Sequence, residues 1–106
     1  MIDEISVKEL KSMEDGGEDF LLLDVREPDE YAFANLDGEL MPMNTVPDRV
    51  NEIARDKKVI VMCRSGKRSA HIAAYLKQMH NFKDVYNLKG GILAYSDEID
   101  PSIPKY

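Results

Sequence analysis

A lone cysteine in a basic loop is the side chain most suited to covalent chemistry. Cys63 is the only cysteine among the 106 residues, and the residues that follow it are Arg64-Ser65-Gly66-Lys67-Arg68. A free thiol ionises with a pKa of about 8.5, so a thiolate at neutral pH needs nearby cations or N–H donors. The two arginines and the lysine supply charge, the glycine allows a tight turn of N–H groups, and the serine adds a hydroxyl donor. The loop therefore predicts a nucleophilic thiolate.

The alternative interpretation is a buried, unreactive cysteine. One cysteine cannot form an internal disulfide, and with the scattered His71 and His80 it does not make a metal site. A structural cysteine typically lies within an apolar run. Cys63 instead follows the run Lys58–Met62 and precedes a helical pattern. This position favours the reactive thiol.

Short apolar runs alternate with helical patterns on both sides of this loop. The predicted strands are Phe20–Val25, Lys58–Met62 and Asp84–Leu88. The predicted helices begin after Ser6, at Pro28, near Pro47, near Ser69 and at Gly91. Continuous apolar strands that alternate with helices predict an α/β fold, an open and mostly parallel central sheet with helices on both faces. In such sheets ligands bind beyond the carboxyl ends of the strands, which is where Cys63 lies.

Composition excludes several classes of function. Twenty acidic and 14 basic residues give a net charge of −6, which argues against a nucleic-acid partner. No apolar run approaches the roughly 20 residues of a membrane span, and the acidic start is not a secretory signal. We therefore expect one domain over residues 1–106, in the cytoplasm, without a membrane partner.

Three segments, taken together, resemble the rhodanese (sulfurtransferase) family. Cys63–Ala70 looks like its active-site loop, Leu22–Tyr31 resembles its first signature, and Asn87–Tyr95 resembles its closing signature. The segments come in the family's order and cover nearly the whole chain. The tail Ile99–Tyr106 is similar to rhodanese domains fused to E1-like adenylating proteins, which pass sulfur to a ubiquitin-like carrier.

The resemblance implies a persulfide mechanism. Cys63 would take the outer sulfur of a donor such as thiosulfate and pass it to cyanide in vitro, or to a thiol or sulfur-carrier protein. The residues implied to bind the anionic sulfur are Arg64, Ser65, Gly66, Lys67 and Arg68. Neither a metal nor an organic cofactor is expected, because sulfur supplies both the nucleophile and the leaving group.

Two alternatives remain. A cysteine phosphatase or arsenate reductase is disfavoured, because those relatives carry one more residue in the loop than the six from Cys63 to Arg68. A non-catalytic rhodanese-like interaction module would have no need of the intact basic loop. Among the weaker candidates, Asp24 and Arg26 are best interpreted as a structural ion pair, and His71 as a solvated side chain.

Overall fold

The computed structural model describes residues 2–106, whose strands form a single all-parallel sheet. The strand order is β1-β5-β4-β2-β3. The strands are β1 (Asp3–Ile5), β2 (Phe20–Asp24), β3 (Glu39–Leu40), β4 (Lys58–Met62) and β5 (Val85–Leu88). Since β4 is the central strand, its carboxyl end lies in the middle of the edge of the sheet where ligands bind in parallel α/β folds.

Residues 2–106 form five helices, of which four connect successive strands and the last follows β5. They are α1 (Val7–Asp15), α2 (Pro28–Phe33), α3 (Val46–Arg49), α4 (Lys67–His80) and α5 (Gly91–Glu98), with single 3₁₀ turns at Met43–Thr45 and Val50–Glu52. Ser6 and Glu9 form the capping box that starts α1, as its sequence predicts. Asn81 ends α4 in the left-handed conformation with φ 58°. No helix among these residues is long and apolar enough to cross a membrane.

Alternating side chains of the central strands supply two separate apolar clusters. Val59 and Val61 pack with residues of α4, including Leu76, on one face. Ile60 and Met62 pack on the other face with residues of α1 and α5, including Ile92. The central sheet with helices on both faces is therefore confirmed. Packing on both faces holds β4 and α4, and with them the loop that joins the two.

The structure corrects the sequence-based prediction at several elements. The edge strands β1 and β3 were not predicted, because three and two residues are too few to show a period. The helical spacing of Ile72, Tyr75, Leu76 and Met79 predicts that Met79 lies on the inner face of α4, yet it is 69% exposed. The sequence also predicts that Ala32 of α2 faces inward, but it is exposed.

Candidate active site

The sulfur of Cys63 lies at the junction between β4 and α4, surrounded by hydrogen-bond donors. Gly66 N–H donates to Sγ at 3.1 Å, and Ser69 N–H lies 3.5 Å from it. The Ser69 hydroxyl oxygen is 3.3 Å from Sγ. Gly66 adopts φ 101°, which a side chain would strain, and this conformation turns its N–H toward the sulfur. Donors of this kind stabilise negative charge on sulfur.

The first residues of α5 hold the loop in place from behind. Ile92 N–H donates to the Cys63 carbonyl oxygen at 3.0 Å, and Leu93 N–H donates to that of Arg64 at 3.2 Å. A Cβ at Gly91 would lie 2.4 Å from both carbonyl oxygens. Only glycine permits this approach, so the Gly-Gly pair of the closing signature has a structural cause.

Of the five predicted sulfur-binding residues, Gly66 alone has a hydrogen bond to Sγ in the structure of residues 2–106. Ser65 and Lys67 are exposed at the rim of the loop. Arg64 donates to the main-chain oxygen of Tyr106. The sequence therefore predicted the position of the loop between a strand and a helix, but not which partner each of its residues contacts.

Arg68 is engaged in a bidentate ion pair. Its two terminal nitrogens lie 2.7 and 2.9 Å from the carboxylate oxygens of Glu30, at the start of α2. The hydrogen bond from Arg68 lowers the pKa of Glu30 to about 2, and the same bond raises the pKa of Arg68. The charge of Arg68 is thus partly compensated, whereas the exposed Lys67 has no ion-pair partner among the described residues.

Tyr106 contacts Arg26 and the loop residue Arg64, a role that the sequence did not reveal. Its hydroxyl accepts from Arg26 and donates to Glu30, both at 2.8 Å. Its ring lies 5.2 Å from the guanidinium carbon of Arg64. From the sequence, the tyrosines, including Tyr106, are best interpreted as packing residues with hydrated hydroxyls. In the structure the protein supplies both hydrogen-bond partners of this hydroxyl.

Ser69 and Asn87 were also missed as neighbours of the sulfur. Both are buried, and the Ser69 hydroxyl oxygen lies 2.5 Å from the Asn87 side-chain oxygen. The sequence offered one signal, the amide of Asn87 in a strand predicted to be buried. A buried amide requires hydrogen-bond partners, so a polar neighbour could have been expected.

The weaker candidates take structural positions. Asp24 and Arg26 form a fully buried ion pair at 2.7 Å beyond β2, as the sequence favoured. His71 is exposed on α4, which confirms a solvated side chain. Residues 2–106 hold no group of three or more histidine, cysteine, aspartate or glutamate side chains that would bind a metal.

Several known proteins are similar to this chain in sequence. A sulfurtransferase of Allochromatium vinosum is 40% identical over 97 residues, covering 91% of this chain and 90% of that protein. The chloroplastic rhodanese-like/PpiC domain-containing protein 12 of Arabidopsis thaliana is 41% identical, and the chain spans only 38% of its length. Adenylyltransferase and sulfurtransferase UBA4 of Kluyveromyces lactis is 36% identical over 82% of this chain and 22% of that protein.

A solved structure and a family description agree with these relatives. The crystal structure of a rhodanese-like domain protein from Staphylococcus aureus matches with a TM-score of 0.81 at 29% identity, covering 99% of each chain. The family described as the rhodanese-like domain matches residues 6–98. The chain therefore belongs to the rhodanese-like domain family.

Proposed function

We propose that this chain is a sulfurtransferase that carries sulfane sulfur as a persulfide on Cys63. The observation that carries the proposal is the set of groups that can donate to a thiolate at Sγ, namely Gly66 N–H at 3.1 Å with the N–H and hydroxyl of Ser69. These groups stabilise the Cys63 thiolate that attacks the donor. In the persulfide the negative charge lies on the terminal sulfur, which the exposed part of the loop would face. The proposal treats residues 1–106 as one functional domain.

With thiosulfate as donor, the transfer has two balanced steps. The Cys63 thiolate attacks the outer sulfur of thiosulfate, and a new S–S bond forms as the bond to the sulfonate breaks. Sulfite leaves with the electron pair, and Cys63–S–S⁻ remains. Cyanide then attacks the terminal sulfur, thiocyanate leaves, and the thiolate is restored. Neither step requires a proton transfer or an added oxidant.

The rim of the loop supplies the charge that an anionic donor needs. Arg64 and Lys67 are exposed there, while Arg68 is paired with Glu30. We propose that Arg64 and Lys67 attract the donor, and that Arg68 contributes its field rather than a direct contact. Ser65, exposed between them, would contact the terminal sulfur from the solvent side.

The physiological partners are proposed to be sulfur-transfer proteins rather than cyanide. UBA4 combines adenylyltransferase and sulfurtransferase in its name, and this chain matches 22% of it. By analogy, a separate donor or acceptor protein would meet the exposed rim of the Cys63 loop in the cytoplasm. The net charge of −6 favours a partner with a basic surface over nucleic acid.

Burial of the thiol favours a second candidate, the non-catalytic interaction module. Cys63 is 1% exposed, so a donor reaches it only through the loop surface. A module would retain the fold and the ion pairs while its thiol remained unreactive. A cysteine phosphatase or arsenate reductase remains the disfavoured enzyme, on loop length.

Steady-state kinetics with thiosulfate and cyanide separate these candidates. We expect thiocyanate release with parallel double-reciprocal lines, the pattern of a two-step transfer, and complete loss in Cys63→Ser. Ser96→Ala is the control, since this buried serine bonds to the Ile103 carbonyl. A folded protein that releases no thiocyanate with thiosulfate or with a protein persulfide as donor would support the module.

A further inference from the structure

Asn87 is a buried polar side chain for which the persulfide cycle has no assigned role. It is 2% exposed in β5, between Tyr86 and Leu88. Its side-chain nitrogen donates to Glu4 at 2.9 Å and to the Gly66 carbonyl oxygen at 3.2 Å. Its side-chain oxygen lies 2.5 Å from the Ser69 hydroxyl. Every polar atom of this amide is therefore engaged.

These partners fix the orientation of the amide. Glu4 and the Gly66 carbonyl are both acceptors, so they require the two N–H donors of Asn87. Reversing the amide would bring its oxygen against two other acceptor oxygens. The oxygen of Asn87 therefore faces Ser69, and because it can only accept, Ser69 must donate to it.

The Ser69 hydroxyl cannot serve Asn87 and the sulfur at the same time. It has one proton, and that proton bonds to Asn87 in the arrangement described. The remaining contact, 3.3 Å from Ser69 Oγ to Cys63 Sγ, then fits a thiol that donates its S–H to Ser69. When the thiol loses its proton, the Ser69 hydroxyl must turn from Asn87 to stabilise the thiolate.

We propose that Asn87 is a positioning residue that competes with the Cys63 sulfur for the Ser69 proton. By stabilising the thiol arrangement, Asn87 sets how readily the thiolate forms. This inference deepens the proposed persulfide cycle and depends on it for its biological meaning. Its test does not, because alkylation by iodoacetamide requires no sulfur donor.

Other charges near the sulfur stay constant in the test variants. The charged and titratable side chains that surround this region are Arg64, Lys67, Arg68 and His71 from the loop and α4, Glu4 from β1, Asp24 and Arg26 beyond β2, Glu30 from α2, and Tyr106. None is altered by substitutions at Asn87 or Ser69. Gly66 also keeps a partner without Asn87, because its carbonyl oxygen accepts from Ala70 N–H at 3.1 Å.

The test is the pH profile of iodoacetamide alkylation, which reports Cys63 alone because the chain has one cysteine. In Asn87→Ala the hydroxyl of Ser69 is free for the sulfur. The midpoint of the profile should then move to lower pH by about 0.7 of a unit, a fivefold gain in thiolate and the scale of one hydrogen bond. Ser69→Ala should move the midpoint upward by a similar amount.

The double variant decides whether Asn87 acts through Ser69. In the Ser69→Ala background, Asn87→Ala should leave the midpoint unchanged. An upward shift or no shift in the single variant, or a downward shift that persists in the double variant, would overturn the proposal. A midpoint shift in the control Ser96→Ala as large as that in Ser69→Ala would also count against it. If Asn87→Ala does not fold, Asn87→Leu fills the site and must meet the same criteria.

Discussion

Lys67 and Arg68 are adjacent cations with different roles. Arg68 gives both of its terminal nitrogens to Glu30, so it ties the start of α4 to α2. Lys67 points its charge to solvent at the rim. At the scale of single residues, a count of basic side chains near Cys63 therefore overstates the charge available to a donor.

The Glu30–Arg68 pair predicts a stability that depends on pH. The pKa of Glu30 is lowered from 4.5 to about 2 by Arg68, so the pair stabilises the fold above the unfolded pKa. Relative to Glu30→Gln, the wild type should be more stable by about 2 kcal/mol at neutral pH. This advantage should disappear as pH falls from about 4.5 toward 2.

Urea unfolding of the two proteins at neutral pH and at about pH 2.5 measures this difference. Glu52→Gln is the matched control, because Glu52 pairs with Arg49 on the exposed surface and its loss should cost little. An equal difference between wild type and Glu30→Gln at both pH values would contradict the assignment.

Sequence alone predicted the candidate cysteine and its partner Gly66, but not the contribution of Ser69 or Asn87. Cys63 and Gly66 were identified because a lone cysteine and a glycine follow an apolar strand. Ser69 and Asn87 are 18 positions apart, and only the packing of β5 beside β4 brings them together. Contacts between distant positions leave no local pattern that one sequence can show.

At the scale of elements, α5 supports the Cys63 loop through its first turn. Two of its N–H groups donate to the carbonyl oxygens of Cys63 and Arg64 and so hold the backbone of the loop, in which Gly66 N–H faces the sulfur. This arrangement needs the backbone of Gly91 within a distance that a side chain would block.

We predict that Gly91→Ala is far more damaging than an alanine at another glycine with positive φ. Gly91 has φ 60° and its Cβ would clash with two carbonyl oxygens, whereas Gly17 has φ 65° and open space. Gly17→Ala should cost about 1 kcal/mol, and Gly91→Ala at least about 2 kcal/mol more. Urea midpoints give the stabilities, and alkylation rates show whether the loop has moved. Equal costs would contradict this role of α5.

The longer helices and strands could be predicted from the sequence, and the shortest strands could not. The strands β2 and β4 and the helix α4 are long enough for an apolar run or a helical period to be visible. The edge strands β1 and β3 carry three and two residues, and pairing with their neighbours defines them. The helical period predicts Met79 on the inner face of α4, but Met79 is exposed. A period shows on which side of a helix a residue lies, but not how far along the helix the neighbouring core extends.

At the scale of the whole molecule, Tyr106 connects the end of the chain to the site. Its hydroxyl binds Arg26 beyond β2 and Glu30 of α2, and its ring and main-chain oxygen contact Arg64. These contacts span up to 80 positions of sequence. Tyr106 therefore contacts Arg26 and Arg64 directly and bonds to Glu30, the partner of Arg68.

Tyr106→Phe should lower the free energy of unfolding by about 1 to 2 kcal/mol, because a nitrogen of the buried Arg26 and the carboxylate of Glu30 each lose a hydrogen-bond partner. It should also change the KM for thiosulfate more than kcat, since the lost hydroxyl positions Glu30, the partner of Arg68, and does not contact the sulfur. Tyr95→Phe is the control, because Tyr95 bonds to Glu14 away from the loop. A KM change of the same size in both variants would contradict a local role for Tyr106.

The central claim is that Cys63 carries a transferable sulfur atom. The most direct measurement is the intact mass of wild type and Cys63→Ser after incubation with thiosulfate, before and after cyanide. The account predicts a gain of one sulfur atom in the wild type, removal of that atom by cyanide, and no gain in the variant. A folded wild type whose mass does not change with thiosulfate, nor with a protein persulfide as donor, would contradict it.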